Sequence, residues 1–266
     1  MNLSATPLPT TRGPGASVPM APRRVLGAYL AEIRSECLRY LRAPSFVLPM
    51  TLFSTVFYLM FGVLLNHPGS DASRYLLASY TTFGVIGPGL FGFGTSLALE
   101  RDGGLLTLKR ALPMPPGAYL LGKMVMAMVC ASLVVVLLLA IGLTLGGVTL
   151  SPLRMGAMLA TGAFGVLPFC ALGMFVGTLI KGQGAPGLLN LVYLPMAFLS
   201  GLWLPLSMLP KFLQSLAPVW PSYHLNQLTL AAVGMGKGPL LGHVLALAGF
   251  AAVFLALATR RLRRLG

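Results

Sequence analysis

Apolar residues run along this chain in stretches broken by short polar segments. Six stretches stand out: Phe46 to Leu65, Tyr75 to Leu99, Met124 to Leu145, Met155 to Ile180, Leu188 to Leu204 and Leu240 to Ala258. A helix rises about 1.5 Å per residue, so roughly 20 such residues cover a hydrocarbon core roughly 30 Å thick. The pattern predicts an all-α integral membrane protein with six transmembrane helices, spans 46–65, 75–99, 124–145, 155–180, 188–204 and 240–258. The fifth is the shortest.

Ahead of the first span the period changes. Val25, Leu26, Tyr29, Leu30, Ile33, Cys37, Leu38 and Leu41 fall on one helical stripe, with Arg24, Glu32, Arg34, Glu36 and Arg39 mostly elsewhere on the surface. This predicts an N-terminal interfacial helix over residues 23–42, broken at Ala43-Pro44, where proline disfavours helix in the residue before it. A solvated helix on a cytosolic surface is the alternative. Residues 1–22 are rich in Pro, Ser, Thr and Gly and predict a disordered cytoplasmic tail, which leaves 23–266 as a single transmembrane domain. The first apolar run begins too late for an ordinary signal peptide, so the N-terminus is expected to be retained.

Between the fifth and sixth spans, Pro205, Pro210, Pro218 and Pro221 punctuate apolar pieces such as Met208 to Leu216 and His224 to Val233. Pieces this short do not cross a bilayer, so short re-entrant outer helices are expected there.

Composition narrows the class. The chain has 266 residues, 56% hydrophobic and only 9% charged, with mean hydropathy +0.83, which leaves no room for a soluble catalytic domain. Its net charge of +14 is scattered between apolar runs and forms no stripe, which argues against a nucleic-acid partner. The same basic residues report topology. Fifteen Lys and Arg lie in the termini, in the segment after Glu100 and at Lys181, against four (Arg74, Arg154, Lys211 and Lys237) on the other side. That asymmetry predicts both termini and the Glu100 segment in the cytoplasm. Three cysteines, Cys37, Cys130 and Cys170, have neither disulfide nor metal spacing.

The candidate chemistry is concentrated in one polar segment. Glu100-Arg101-Asp102-Gly103-Gly104 is followed by Leu105, Leu108 and Leu112 at i, i+3 and i+7, with Lys109 and Arg110 between them and Pro113 as the stop. Two of the chain's five acidic residues sit there, and a charge at bilayer depth costs at least ~2.5 kcal/mol, so the segment belongs in water or against another protein. Its period predicts a short amphipathic helix along the membrane face; an ordinary connecting loop is the alternative. Gly117 to Lys123 fits G-x-x-x-x-G-K, but Met124 stands where a phosphate-binding loop needs Ser or Thr, and no strand precedes it. Nucleotide binding by this chain is therefore not expected, and neither is a metal or other cofactor. His67, His224 and His243 are isolated in sequence, no hydrolase or metalloprotease motif occurs, and all five acidic residues lie outside the expected spans. Gly142 with Gly146, and Gly173 with Gly177, have the G-x-x-x-G spacing that lets helices approach closely.

These residues resemble the type-2 ABC transporter permease family, the membrane subunits of bacterial ABC exporters. Members carry E-R-E-x-G-T-L between the second and third spans, a proline thirteen residues after the first Glu, and L-G-K opening the third span. Here the order is Glu100-Arg101-Asp102-Gly103-Gly104-Leu105-Leu106, Pro113, and Leu121-Gly122-Lys123, with Asp102 for Glu and Leu105 for Thr. A second match is Phe198-Leu199-Ser200-Gly201-Leu202-Trp203-Leu204-Pro205, then Leu209-Pro210, Pro218 and Pro221; Asn226-Gln227 stand where the family often has an Arg.

The resemblance implies a dimer of permeases, homodimeric or heterodimeric, in the bacterial inner membrane and in contact with lipid. It also implies a separate ATPase that holds ATP and magnesium. In this family the segment after Glu100 forms a cytoplasmic coupling helix seated in a groove of the ATPase, which assigns Glu100, Arg101, Asp102, Gly104, Leu105, Leu108, Lys109, Arg110 and Pro113 to docking. Glu32, Glu36 and Arg39 would make a second cytoplasmic contact, and Gly201, Pro205, Pro210, Pro218 and Pro221 would shape the outer helices. The cargo expected is a lipophilic drug, a peptide or a lipid. A channel or assembly scaffold without ATP coupling is the rival class, and an intramembrane enzyme lacks candidate catalytic groups.

Overall fold

A computed structural model of the chain describes residues 22–42, 44–105, 108, 115–236 and 238–264. The expected tail therefore lies outside the described residues, except for its last position. Every regular element among the described residues is helical: α1 (Pro22–Leu41), α2 (Pro44–Phe57), α3 (Asp71–Asp102), α4 (Pro116–Thr144), α5 (Pro152–Gly165), α6 (Leu167–Gly177), α7 (Ala185–Leu199), α8 (Lys211–Leu216), α9 (Pro221–Ala232) and α10 (Leu240–Arg264). Proline opens α4, α5, α6, α7 and α9 within the first two positions, where its missing N–H has no helical partner to lose. Side chains of Ser70 and Ser151 cap α3 and α5 by accepting from the N–H groups of Ser73 and Arg154.

Four helical stretches are long and apolar enough to cross a membrane: Asp71–Asp102, Gly117–Thr144, Pro152–Gly177 and Leu240–Leu262. The third contains a break at Val166, two residues before Pro168, and stops at Gly177, short of the expected Ile180. The other two expected spans take different forms. The first is α2, which carries Pro49 in its interior and continues as a π-helix over Tyr58–Leu64. The fifth is α7, 15 residues long, which ends at Leu199 because Ser200 and Gly201 turn the chain, Gly201 at φ +77°. Trp203 and Leu204, expected inside that span, lie in the turn beyond it. The proline-rich region forms two short α-helices, α8 and α9.

The centre of the fold is α3, buried almost without interruption from Leu77 to Ala98. It is packed mainly by α6 and α4; α1 lies on α4, and α10 lies on α6 and α9. The α3–α6 seam is set by backbone. A Cβ added at Gly173 would stand 2.5 Å from the Leu90 carbonyl oxygen, and one at Gly177 would stand 2.6 Å from that of Gly94. The G-x-x-x-G pair thus joins two helices of one chain at main-chain contact. Polar rungs tie the interior: Thr82 meets Thr229 at 2.7 Å, and the Tyr193 hydroxyl donates to the Phe83 carbonyl at 2.9 Å.

Gly177→Val must spread this seam, and overpacking of this kind costs about 1–3 kcal/mol or more. A lower melting temperature of the detergent-purified protein is expected. Gly156→Val, at a position with open space around it, should leave that temperature unchanged.

Candidate functional site

Where α3 ends, its last three side chains point three ways. A helix turns about 100° per residue, which sends consecutive side chains in different directions. Glu100 turns inward, Arg101 reaches across to the end of α6, and Asp102 faces the turn that follows it.

Glu100 belongs to a buried cluster drawn from three helices. Lys123 of α4 is wholly buried, and its ammonium lies 3.0 Å from Glu100 Oε1, 3.2 Å from Glu36 Oε2 of α1 and 2.9 Å from Ser96 Oγ of α3. An ammonium has three protons to donate, and these three acceptors match them one for one. The Tyr119 hydroxyl donates to Glu100 Oε2 at 2.6 Å, and Arg39 of α1 bridges Glu36 and Glu100 from the open side. Two carboxylates thus face two cations. Side-chain exposure is 3% for Glu36 and 7% for Glu100. Burial of the Arg39 guanidinium works against its charge, but Glu100 and then Glu36 outweigh this and hold its pKa above the ordinary value.

Backbone shape makes room for the cluster. A Cβ on Gly122 would meet Glu32 of α1 at 3.1 Å, so the glycine lets α1 settle against α4 beside Lys123. The L-G-K sequence therefore has a local reason: a small residue for the approach, then the cation that the approach buries.

Arg101 and Asp102 fasten a second junction. The Arg101 guanidinium donates to the carbonyls of Thr178 at 3.0 Å and Ile180 at 2.6 Å, groups left without helical partners where α6 stops. Arg261 of α10 donates to the Thr178 carbonyl as well, at 3.3 Å. Asp102 Oδ2 accepts from the Gly182 N–H at 2.7 Å. Beyond Asp102 the chain turns at Gly103 and at Gly104, whose φ is +72°. Leu105 is half-buried and Leu108 is 65% exposed, so an apolar side chain projects just past the anchored charges.

The arrangement offers acids, bases and a buried lysine, but no catalytic geometry: each charged group is already held by a partner of its own chain. Among the described residues no group of three His, Cys, Asp or Glu side chains could hold a metal ion. The site ties α1, α3, α4 and the α6–α7 turn together at one end of the molecule.

The sequence matches the ABC-2 type transporter family over residues 28–233, most of the chain. The chain belongs to that family. It is also 29% identical over 226 residues to a Bacillus subtilis (strain 168) protein named "Putative transport permease YvfS", covering 84% of this chain and 92% of the relative. Membership makes this a multi-pass membrane transport permease, and in general implies an ABC transporter with an ATPase partner.

The expected docking residues fall into distinct positions in this family member. Asp102, Gly104, Leu105 and Leu108 lie at or beyond the end of α3, whereas Glu100 and most of Arg101 are engaged within the chain. Lys109, Arg110 and Pro113 lie outside the described residues. Glu36, read from periodicity as a surface position, is buried, because α1 is covered by α4 along that face. Arg39 bridges to Glu100, and Glu32 lies against Gly122. At the other end of the molecule, Gly201 accepts from the Tyr75 hydroxyl, Pro205 lines a cavity, Pro210 precedes α8, the Pro218 carbonyl accepts from His224 Nε2 at 2.9 Å, and Pro221 opens α9. Tyr119 and Ser96 are cluster members that sequence reasoning missed, and Lys123, noted there in the L-G-K motif, was not read as their partner. The available signal was a lysine at the mouth of a long apolar run, in a chain with few acids to neutralise it.

Lys123→Met should destabilise the fold by about 3–5 kcal/mol, since it leaves two buried carboxylates against Arg39 alone. Adding Glu36→Gln to that variant should restore part of the loss. Thermal unfolding of the single and double variants measures this coupling.

Proposed function

We propose that this permease is the membrane half of an ATP-driven exporter, crossing the bacterial cytoplasmic membrane six times with both termini in the cytoplasm. The 15-to-4 asymmetry of basic residues supports that orientation. Pro44 to Leu64 and Ala185 to Leu199 would supply the two crossings additional to the four long helices. Two permease copies would enclose the path. A separate ATPase would carry ATP and magnesium, and this chain would hold neither.

One observation carries the coupling part of the reading: an exposed leucine, Leu108, projects just past the point where α3 is clamped to three neighbours. The ATPase would dock on Asp102, Leu105 and Leu108, together with Lys109, Arg110 and the stop at Pro113. Glu100 and Arg101 would act behind the contact. Closure of the ATPase dimer would then press on a segment whose displacement must carry α3, and with it α6 and α4. The outward face of α1, through Glu32 and Arg39, would form the second contact. An apolar interior with few free polar groups suits lipophilic cargo.

Asp102→Lys combined with Leu108→Glu should lower retention of the co-expressed ABC ATPase in a detergent pull-down by tenfold or more. Loss of a buried charged contact costs about 2–5 kcal/mol, and 1.4 kcal/mol is tenfold. Asp102→Lys also removes the acceptor of the Gly182 N–H, so Leu108→Glu alone, which leaves that junction intact, should lower retention in the same direction at the melting temperature of the parent. Full ATPase retention together with full transport would overturn the docking reading.

A further inference from the structure

At the end of α3 opposite Glu100, a cavity of about 650 Å³ opens between the π-helical end of α2, the first turns of α3 and the turn after α7. A pocket for a drug-sized molecule has a volume of about 300–1,000 Å³. Six aromatic rings form its wall: Phe57, Phe61, Tyr75, Tyr80, Phe198 and Trp203. They brace one another. Phe57 lies 5.8 Å from Phe61 and 6.2 Å from Tyr80 between centroids, and Phe198 meets Trp203 edge-on at 6.5 Å. Tyr75 is held by its hydroxyl on the Gly201 carbonyl, which joins α3 to the turn carrying Trp203.

The lining contains one charged side chain, Asp71. It stands in the first turn of α3, where the helix N-terminus favours a carboxylate, and it is exposed. Among the described residues no basic group lies within 4 Å of it; Arg74, three residues on, does not pair with it. Asn66 donates its Nδ2 to the Phe61 carbonyl at 2.6 Å, so its remaining end is an acceptor. On a chain with net charge +14 and five acidic residues, this pocket is lined by π-faces, an acceptor, the indole N–H of Trp203, and an anion, the last two without a partner among the described residues.

Aromatic faces attract a cation through the ring quadrupole, by about 0.5–1 kcal/mol when exposed and about 2 or more when desolvated, and a carboxylate at the mouth adds charge selectivity. We propose that the aromatic cavity bounded by Asp71 is a binding site for a lipophilic organic cation. The proposal deepens the export reading and rests on it for the ligand being cargo. Binding itself is measured on the permease without an ATPase, so its failure leaves the docking result standing, and the reverse.

The probe is tetraphenylphosphonium, with tetraphenylborate as an anion of the same shape. Equilibrium dialysis of the full-length permease in neutral detergent, corrected against empty micelles, should give saturable binding of the cation that tetraphenylborate does not displace. Asp71→Asn should weaken that binding at least fivefold. Ala72→Trp, which fills the cavity from its exposed rim, should abolish it, with both variants eluting as the parent does on size exclusion. Equal competition by the anion, unchanged affinity in Asp71→Asn, or binding that survives Ala72→Trp would each overturn the proposal. If Asp71→Asn fails to fold, the anion competition and Ala72→Trp still decide it.

Discussion

A fully buried lysine ammonium dictates much of this structure. Lys123 can remain charged only if each of its protons meets an acceptor, and the acceptors come from α1 and α3. Such an ion cluster contributes little net stability compared with an apolar core, because desolvation offsets its Coulombic gain. Its effect is on geometry. Three helices must keep one relative register or leave a charge unpaired, so the cluster fixes where α3 ends and how α1 lies on α4. The glycine before Lys123 and the tyrosine four residues earlier serve the same arrangement.

The second constraint is the bilayer, which offers no water to an unpaired backbone group. It explains why Arg101, besides its contact with Asp102, is used on carbonyls: α6 stops at Gly177, and the carbonyls past its end need donors. It also explains the hydroxyl rungs at Thr82, Thr229 and Tyr193, where neighbouring helices answer one another. Most buried polar side chains are thus committed; among the described residues the exceptions are Arg74 Nε, Ser79, Thr81, Thr95 and Trp203 Nε1.

The helical class and the polar island at Glu100 were legible in the sequence because both rest on periodicity and charge, which are local signals. The ends of the fifth span were not, since Leu202 to Leu204 are as apolar as the helix before them and only the φ of Gly201 stops it. The π-helical end of α2 was hidden for a similar reason: its residues read as any apolar helix, and the burial of its first residue, Tyr58, against Ser73 of α3 is a contact between distant positions. At the candidate site the sequence identified which residues matter but misjudged which way they face. Glu36 is polar, so a helical wheel puts it on the surface; a partner 87 residues away puts it inside. Charges that satisfy each other across three helices cannot be paired by reading one helix at a time.

The main-chain contact between α3 and α6 has a kinetic consequence. Helices separated by side chains can creep past one another by small rotamer changes, whereas Gly173 and Gly177 seat directly on the carbonyls of α3. A shift of one residue would bring Leu172 or Met174 onto those carbonyls. Sliding is therefore blocked, and the pair can only travel as one body or separate completely. If a partner pressed on the end of α3 beyond Asp102, such a seam would act as a shaft, with no slack between the two ends of the pair.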